Sequence, residues 1–133
     1  MALAGLRPEI TVHTAEPQGF DDTARSLALG ERISNPTEQG SICDAIVTPT
    51  PGELTFPLLQ KHAGSGFAVS DDSVLAAMKT AFDTLKVVVE PGGAVALAAA
   101  LDPQNLPDEK ELIVILSGGN VDQALFQRAL TIT

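Results

Sequence analysis

The feature that most constrains this chain is a short apolar run that ends in a glycine turn, residues 112–122 (LIVILSGGNVD). Its first five residues show no polar alternation, which is typical of a strand buried on both faces in a parallel sheet. After Ser117, two glycines predict a turn whose backbone can approach a ligand closely. Residues 121–130 (VDQALFQRAL) then predict a helix. Because ligands of open α/β sheets bind beyond the carboxyl ends of strands, residues 117–120 are the first candidate site, with a ligand-free turn as the alternative.

The composition indicates a folded, acidic chain of 133 residues, for which we expect a single α/β domain over residues 1–133. A net charge of −9, with only eight scattered Lys and Arg residues, argues against nucleic acid or an anionic membrane as a partner. The single cysteine, Cys43, excludes an internal disulfide and favours a reducing cytoplasm. No apolar run approaches the roughly 20 residues of a membrane span.

Along the rest of the chain, segments typical of strands alternate with segments typical of helices. The earlier strand candidates are residues 10–15 (ITVHTA), 42–47 (ICDAIV) and 66–69 (GFAV). About five helices are predicted, at residues 23–29, 53–62, after the N-cap residue Ser70, at residues 94–101 and at residues 121–130. This alternation predicts an α/β fold of three layers, with a mostly parallel sheet of about four strands and helices on both faces.

Four segments in order resemble the fold-type II pyridoxal-phosphate enzymes, in their threonine/serine dehydratase and serine racemase branch. They are residues 15–22 (AEPQGFDD), 41–56 (SICDAIVTPTPGELTF), 87–101 (VVVEPGGAVALAAAL) and 114–122 (VILSGGNVD). The resemblance runs nearly end to end, and it implies part of the large domain of such an enzyme, its carboxyl-terminal portion only.

Two parts of these enzymes have no counterpart in the sequence: the lysine that forms the Schiff base and the glycine-rich loop that holds the cofactor phosphate. None of the four lysines (Lys61, Lys79, Lys86 and Lys110) stands in a matching motif, and no run of three or four glycines occurs. The resemblance therefore implies an ammonia-lyase for β-hydroxy amino acids that is inactive as this chain alone. Its partners would be a small amino acid and either a second copy or the complementing amino-terminal part. A non-catalytic, self-associating α/β module and a fragment of an amino-acid racemase are the alternatives.

The resemblance places Ser117, Gly118 and Glu90 at the cofactor. In the family, the serine of the SGGN motif hydrogen-bonds the pyridine nitrogen of pyridoxal phosphate. A hydroxyl can donate to an unprotonated ring nitrogen, which suits removal of the α-proton followed by loss of a β-hydroxyl. Gly118 shapes the turn. Glu90 lies near the ring in relatives, and capping of the following helix is an equal alternative.

Asp44 and Thr48 match positions on the substrate side of the family's pocket. Ala45 stands where relatives often carry glycine, and residues 49–51 (PTP) also depart from the racemase pattern. Both departures favour a dehydratase-like parent.

The resemblance also implies a divalent-cation site at Glu16, Phe20 and Asp22. Two carboxylates and the backbone carbonyl between them would bind Mg²⁺, Ca²⁺ or Mn²⁺, with waters completing the shell, because these hard ions prefer oxygen ligands. The alternative is that Asp22 caps the helix predicted at residues 23–29, beside a solvated acid.

Overall fold

The computed structural model describes residues 2–36, 40–105 and 111–132 of the chain. Its elements, in order, are helix α1 (Ala2–Leu6), strand β1 (Val12–Pro17), helix α2 (Asp22–Leu29), a 3-10 helix (Asp44–Ile46), helix α3 (Phe56–His62), strand β2 (Ala63–Val69), helix α4 (Asp71–Thr80), a π-helical turn (Ala81–Leu85), helix α5 (Pro91–Leu101) and helix α6 (Gln123–Leu130). Among these helices, none has the length and apolar character needed to cross a bilayer.

Strands β1 and β2 pair in parallel, which confirms the predicted strand direction. Val12 pairs with Ala63, Thr14 with Gly66 and Pro17 with Val69, and the register shifts between Val12 and Thr14. Within the described ranges, these two strands form the whole sheet, so the predicted count of about four strands was too high.

Helices cover both faces of this strand pair. Successive residues of a strand point to opposite faces, so Gly66 and Phe67 mark the two sides of β2. On the Gly66 side, α2 packs so closely that an added Cβ would lie 2.5 Å from the Cβ of Ala24. On the other side, Ala15 and Phe67 pack against the buried cluster built by α4 and α5. The predicted α/β class, with helices on both faces of a parallel sheet, is therefore confirmed.

The main core lies between α4 and α5. Helix α4 begins at the predicted cap, because the Ser70 hydroxyl accepts a hydrogen bond from the backbone nitrogen of Ser73 at 3.1 Å. Its apolar face is fully buried through Val74, Leu75 and Met78. Helix α5 offers mostly alanines to this face, and small side chains allow the two helices to approach closely. The core thereby fixes the amino-terminal end of α5, where the candidate site lies.

The prediction of a doubly buried strand at residues 112–116 was wrong. These residues form neither helix nor strand, and Ile113 and Ile115 are 86% and 67% exposed. A strand is completed by hydrogen bonds to a neighbour, and β1 with β2 is the only strand pair in the part of the chain that the structure describes. The apolar pattern identifies a segment suited to a buried sheet, but it does not provide the adjacent strand.

The prediction of a strand at residues 42–47 was also wrong, because an acidic side chain accepts a hydrogen bond from the backbone there. Asp71, at the start of α4, accepts a hydrogen bond from the Ser41 hydroxyl at 2.7 Å and from the backbone nitrogen of Ile42 at 3.2 Å. The chain then turns into the 3-10 helix Asp44–Ile46 instead of extending. Bonds from the backbone to an acidic side chain replace those of a sheet ladder here.

Candidate functional site

The predicted cofactor residues meet at the amino-terminal end of α5. The backbone nitrogen of Glu90 donates a hydrogen bond to the carbonyl of Gly118 at 3.2 Å. In return, the Glu90 carboxylate accepts from the backbone nitrogen of Asn120 at 3.1 Å. Glu90 occupies the N-cap position of α5, yet its side chain makes no capping bond to that helix. Its carboxylate is instead committed to the turn at residues 117–120, so the capping alternative fails for the side chain.

Glycine is required at two places where this turn meets α5. Gly118 has a φ of +84°, and a Cβ there would lie 2.3 Å from Oε1 of Glu90. A Cβ on Gly93 would lie 2.0 Å from the carbonyl oxygen of Ser117. Both separations are far below any normal contact, so the lack of side chains lets the turn lie directly against the helix. Ser117 itself is exposed, at the outer side of this seam.

The segment that carries the substrate-side candidates reaches the same end of α5. A Cβ on Gly92 would lie 3.4 Å from Cγ2 of Ile46 and 3.6 Å from the Cβ of Ala45, so the 3-10 helix packs on the first turn of α5. Asp44, at the start of that 3-10 helix, is exposed. Thr48 is exposed as well, and its carbonyl accepts a hydrogen bond from the side chain of Asn35 at 2.7 Å. The turn at residues 117–120, Glu90 and the segment of Asp44 thus surround one helix terminus.

The cation candidates lie elsewhere, where β1 ends and α2 begins. The two carboxylate oxygens of Glu16 accept hydrogen bonds from the backbone nitrogens of Thr23, at 3.0 Å, and Ala24, at 2.8 Å. Glu16 therefore satisfies the first turn of α2, so the helix cap that the alternative assigned to Asp22 is provided by a different carboxylate. Phe20 is buried between these elements, with 4% of its surface exposed.

Asp22 is the first residue of α2 and not its cap, so the alternative was wrong for this residue. The residue is fully buried, and its Oδ1 accepts a hydrogen bond from Nδ2 of Asn35 at 2.7 Å. Its Oδ2 is buried with no hydrogen-bond partner in the part of the chain that the structure describes. A buried carboxylate oxygen without a partner is costly, and a cation or a bound water at this atom would offset that cost.

Burial dominates the electrostatics of both carboxylates. Desolvation raises the pKa of Glu16, although the hydrogen bonds from Thr23 and Ala24 oppose the shift and the nearby charge of Asp22 adds to it. Desolvation likewise raises the pKa of Asp22, against the bond from Asn35. A positive charge between them would favour their ionised forms. Across residues 2–36, 40–105 and 111–132, no group of three or more His, Cys, Asp or Glu side chains is arranged to hold a metal, so a cation here would depend on two carboxylates.

Two of the four lysines make contacts within their own helical segment. Lys79 Nζ bonds to Oδ2 of Asp83 at 2.7 Å, and Lys86 Nζ donates to the carbonyl of the same residue at 2.8 Å. Lys61 lies in the last turn of α3. The remaining lysine, Lys110, lies outside the described residues. Lys79 and Lys86 are therefore both bonded to Asp83, while Ser117 lies exposed at the seam beside α5.

Sequence reasoning missed two residues that organise the site. Asp71 holds the segment that precedes the 3-10 helix, and Asn35 connects Asp22 to the carbonyl of Thr48. Asn35 lies in a polar stretch of the sequence, and no spacing or motif distinguishes it there. From the sequence, Asp71 is recognisable only as a favourable charge at the start of a helix.

Known proteins share this sequence and this fold. Residues 1–118 match the family described as "Pyridoxal-phosphate dependent enzyme". The chain is 38% identical over 128 residues to a serine racemase of Dictyostelium discoideum, covering 94% of this chain and 39% of the relative. It is 34% identical over 122 residues to a β-hydroxyaspartate dehydratase of Paracoccus denitrificans, covering 92% of this chain and 38% of that protein.

Solved structures agree with this relationship. A threonine deaminase from T.th. superposes with a TM-score of 0.85 at 36% identity, over 91% of this chain and 40% of that structure. Maize serine racemase superposes with a TM-score of 0.84 at 34% identity, over 97% of this chain and 40% of its own. The chain therefore spans about 39% of the length of the first curated relative that it matches.

Proposed function

Because this chain belongs to the pyridoxal-phosphate dependent enzyme family, we propose that it forms the ring-nitrogen side of an ammonia-lyase that acts on β-hydroxy amino acids. Ser117 donates a hydrogen bond to the pyridine nitrogen, Gly118 leaves room for the ring, and Glu90 holds the turn in place. The contact between Glu90 and the turn supports this proposal most directly, since it fixes the backbone of the turn at Gly118 and at Asn120.

The chemistry of the named relatives points to the substrate class. Serine, threonine and β-hydroxyaspartate, which appear in the relatives' names, all carry a hydroxyl on the β-carbon. When bound, pyridoxal phosphate supplies the electron sink that makes the α-proton of an amino acid removable. The Ser117 hydroxyl keeps its proton on Oγ and shares it with the ring nitrogen, so the ring stays neutral. A neutral ring is a weaker sink, which favours loss of the β-hydroxyl once the α-proton has left.

In this proposal, Asp44 and Thr48 face the substrate from the segment packed on α5. The lysine that binds the cofactor and the loop that holds its phosphate come from a further polypeptide segment, joined to this one or separate. Racemisation of the same amino acids is the main alternative, and the serine racemases among the relatives favour it. The methyl group of Ala45, which lies against Gly92 at the first turn of α5, favours the lyase.

The same proposal assigns Mg²⁺, Ca²⁺ or Mn²⁺ to Glu16, the Phe20 carbonyl and Asp22. The unpartnered Oδ2 of Asp22 supports this assignment, because it is an oxygen ligand already removed from bulk water. Glu16 would keep its hydrogen bonds to α2, since each carboxylate oxygen can accept more than one partner. The cation would then neutralise charge that burial disfavours, and in this way stabilise the end of β1 against α2.

A titration with pyridoxal phosphate tests the role of Ser117. We expect the unmodified chain to bind the cofactor without the visible band of a lysine-linked form. The Ser117→Ala variant should bind about threefold to tenfold more weakly, the effect of one hydrogen bond. Ser65→Ala, at an exposed serine of β2, is the matched control and should bind as the unmodified chain does. Equal affinity of the Ser117 and Ser65 variants, or no binding at all, would reject the proposed role.

Self-association without catalysis is a second candidate function, favoured by the apolar surface at residues 112–115. Leu112, Ile113 and Ile115 are exposed there, although their side chains are typical of a core. Light scattering after size exclusion tests the idea. If this surface pairs two copies, Ile113→Lys should shift the chain towards monomer, whereas Leu54→Lys, at a leucine that is 89% exposed, should not. A monomeric unmodified chain would contradict it.

A further inference from the structure

Asn35 joins the two groups of candidate residues that otherwise lie apart. Its Nδ2 donates one hydrogen bond to Oδ1 of Asp22 and one to the carbonyl of Thr48, both at 2.7 Å. Asp22 belongs to the cation candidates and Thr48 to the substrate-side candidates. A single side-chain amide is therefore the direct connection between these two regions.

The orientation of this amide is determined by its neighbours. The Arg25 guanidinium donates to Oδ1 of Asn35 and cannot accept, so the NH₂ group must point to Asp22 and Thr48. The backbone nitrogen of Asn35 also donates to the carbonyl of Pro49 at 2.8 Å. All the hydrogen-bonding atoms of this amide are therefore occupied, and reversing it would place its oxygen against two acceptors.

The segment around Asn35 holds the whole loop at residues 48–51, and not Thr48 alone. Arg32 Nε donates to the carbonyl of Pro51 at 2.8 Å, and the Thr50 hydroxyl donates to the carbonyl of Ile33 at 3.3 Å. Two prolines restrict the backbone of this loop, so a shift at the Thr48 carbonyl displaces the loop as a unit. The loop leads from the 3-10 helix that packs on α5, and so it belongs to the proposed substrate side.

We propose that Asn35 is a positioning residue that couples occupancy of the cation site to the geometry of the loop at residues 48–51; this inference rests on the proposed function above. A cation bound at Oδ2 of Asp22 fixes the plane of that carboxylate. Its Oδ1 then stays in line with Nδ2 of Asn35, and the second N–H of the same amide holds the Thr48 carbonyl. With the cation removed, the carboxylate rotates more freely and both bonds loosen together.

Two substitutions separate the coupling from simple loss of structure. Asn35→Ala removes both hydrogen bonds. Asn35→Asp keeps the volume of the side chain but replaces the donors with a carboxylate that repels Asp22 and the Thr48 carbonyl. Gln60→Ala is the matched control, because the Gln60 amide also donates to a backbone carbonyl, that of Gly30 at 2.7 Å, outside this network.

Hydrogen exchange of the 133-residue chain, measured with and without MnCl₂, provides a readout independent of activity, and calorimetry on the same samples measures Mn²⁺ binding. In the unmodified chain and in Gln60→Ala, Mn²⁺ should slow amide exchange severalfold at the non-proline residues of the range 48–53. In both Asn35 variants Mn²⁺ should still bind, but this protection should disappear. If Asn35→Ala fails to fold, the Asn35→Asp variant alone tests whether the protection depends on Asn35.

Mn²⁺ binding that leaves the loop unchanged in the unmodified chain, or protection that persists in Asn35→Asp, overturns the coupling alone. Absence of Mn²⁺ binding by the unmodified chain overturns both the coupling and the proposed cation site. The role of Ser117 is decided separately by the cofactor titration, so the failures remain distinguishable.

Discussion

The carboxylate of Glu90 accepts a hydrogen bond from the backbone nitrogen of Asn120 at 3.1 Å, across 30 positions of sequence. The backbone nitrogen of Glu90 bonds to the same turn through the carbonyl of Gly118. This pair of contacts fastens a segment with no secondary structure of its own to the start of a buried helix. The exposed hydroxyl of Ser117 therefore has a fixed location although the residues just before it are largely exposed.

Replacing Glu90 with alanine should loosen the turn. The variant loses a hydrogen bond to a charged, half-buried acceptor, so we expect the free energy of unfolding to fall by about 1 kcal/mol in urea titrations. Glu90→Gln keeps an accepting oxygen and should lose less. Glu31→Ala, at an exposed glutamate, serves as the control for removal of a negative charge. Equal stability of the Glu31→Ala and Glu90→Ala variants would show that the Glu90 side chain contributes nothing measurable to the free energy of unfolding.

The two adjacent glycines of α5 should respond oppositely to alanine. At Gly93 a methyl group would lie 2.0 Å from the Ser117 carbonyl oxygen, so we expect a loss of about 1–3 kcal/mol of stability from overpacking. At Gly92 it would make ordinary contacts at 3.4 Å and beyond, and alanine favours helix by up to about 1 kcal/mol. Urea unfolding of Gly93→Ala and Gly92→Ala measures the contrast. Similar stabilities would mean that the turn does not press on α5.

Removing the charge of Asp22 should abolish cation binding without removing its bond to Asn35. In Asp22→Asn the side-chain oxygen can still accept from Asn35, but the anionic ligand is lost. Calorimetry with MnCl₂ should show at least about a tenfold loss of affinity. Asp21→Asn is the adjacent control, since the Asp21 carboxylate pairs with Arg25 at 3.4 Å. Equal affinities of these two variants would argue against a site at Asp22.

The buried thiol of Cys43 predicts a loss of stability at alkaline pH. Desolvation raises its pKa to about 11 from an ordinary 9.0, the carboxylates of Asp71 and Asp44 add to the shift, and the Ser41 hydroxyl opposes it. The folded state therefore keeps a proton that the unfolded state releases between pH 9.0 and about 11, so the free energy of unfolding falls as pH rises through that window.

Comparison with Cys43→Ala isolates this effect, because all other titrating groups are shared. Urea unfolding between about pH 8 and 11 should show a decline that is steeper for the unmodified chain by up to about 2 kcal/mol. Parallel declines would indicate that the thiol is accessible in the folded chain. Slow alkylation of Cys43 at neutral pH, accelerated by denaturant, is an independent check on its burial.

Local signals in the sequence were sufficient for part of this structure. Ser70 predicted the start of α4, because a helix cap is a property of one segment. The parallel direction of the sheet followed from alternating element types. The glycines at 118 and 119 predicted the turn. The hydrogen bonds that hold this turn come from Glu90, about 30 positions earlier, and a local sequence pattern cannot reveal such a contact.

Contacts between distant segments account for what was missed. The strand predicted at residues 42–47 does not form, because the Asp71 carboxylate, at the start of α4, accepts hydrogen bonds from Ser41 and from the backbone nitrogen of Ile42. The buried strand predicted at residues 112–116 has no neighbouring strand among the described residues. Asn35 gains its importance from Asp22 and Thr48, each 13 positions away, and an asparagine in a polar stretch gives no sign of that.

The approach of Gly93 to the Ser117 carbonyl is a contact of main chain with main chain. Its closeness depends on the absence of a side chain at residue 93. Substitutions at positions of α5 that face neither the turn nor the core can therefore accumulate without displacing the serine hydroxyl. The start of α5 thus determines where the Ser117 hydroxyl lies, and a single added carbon atom at residue 93 is enough to displace it.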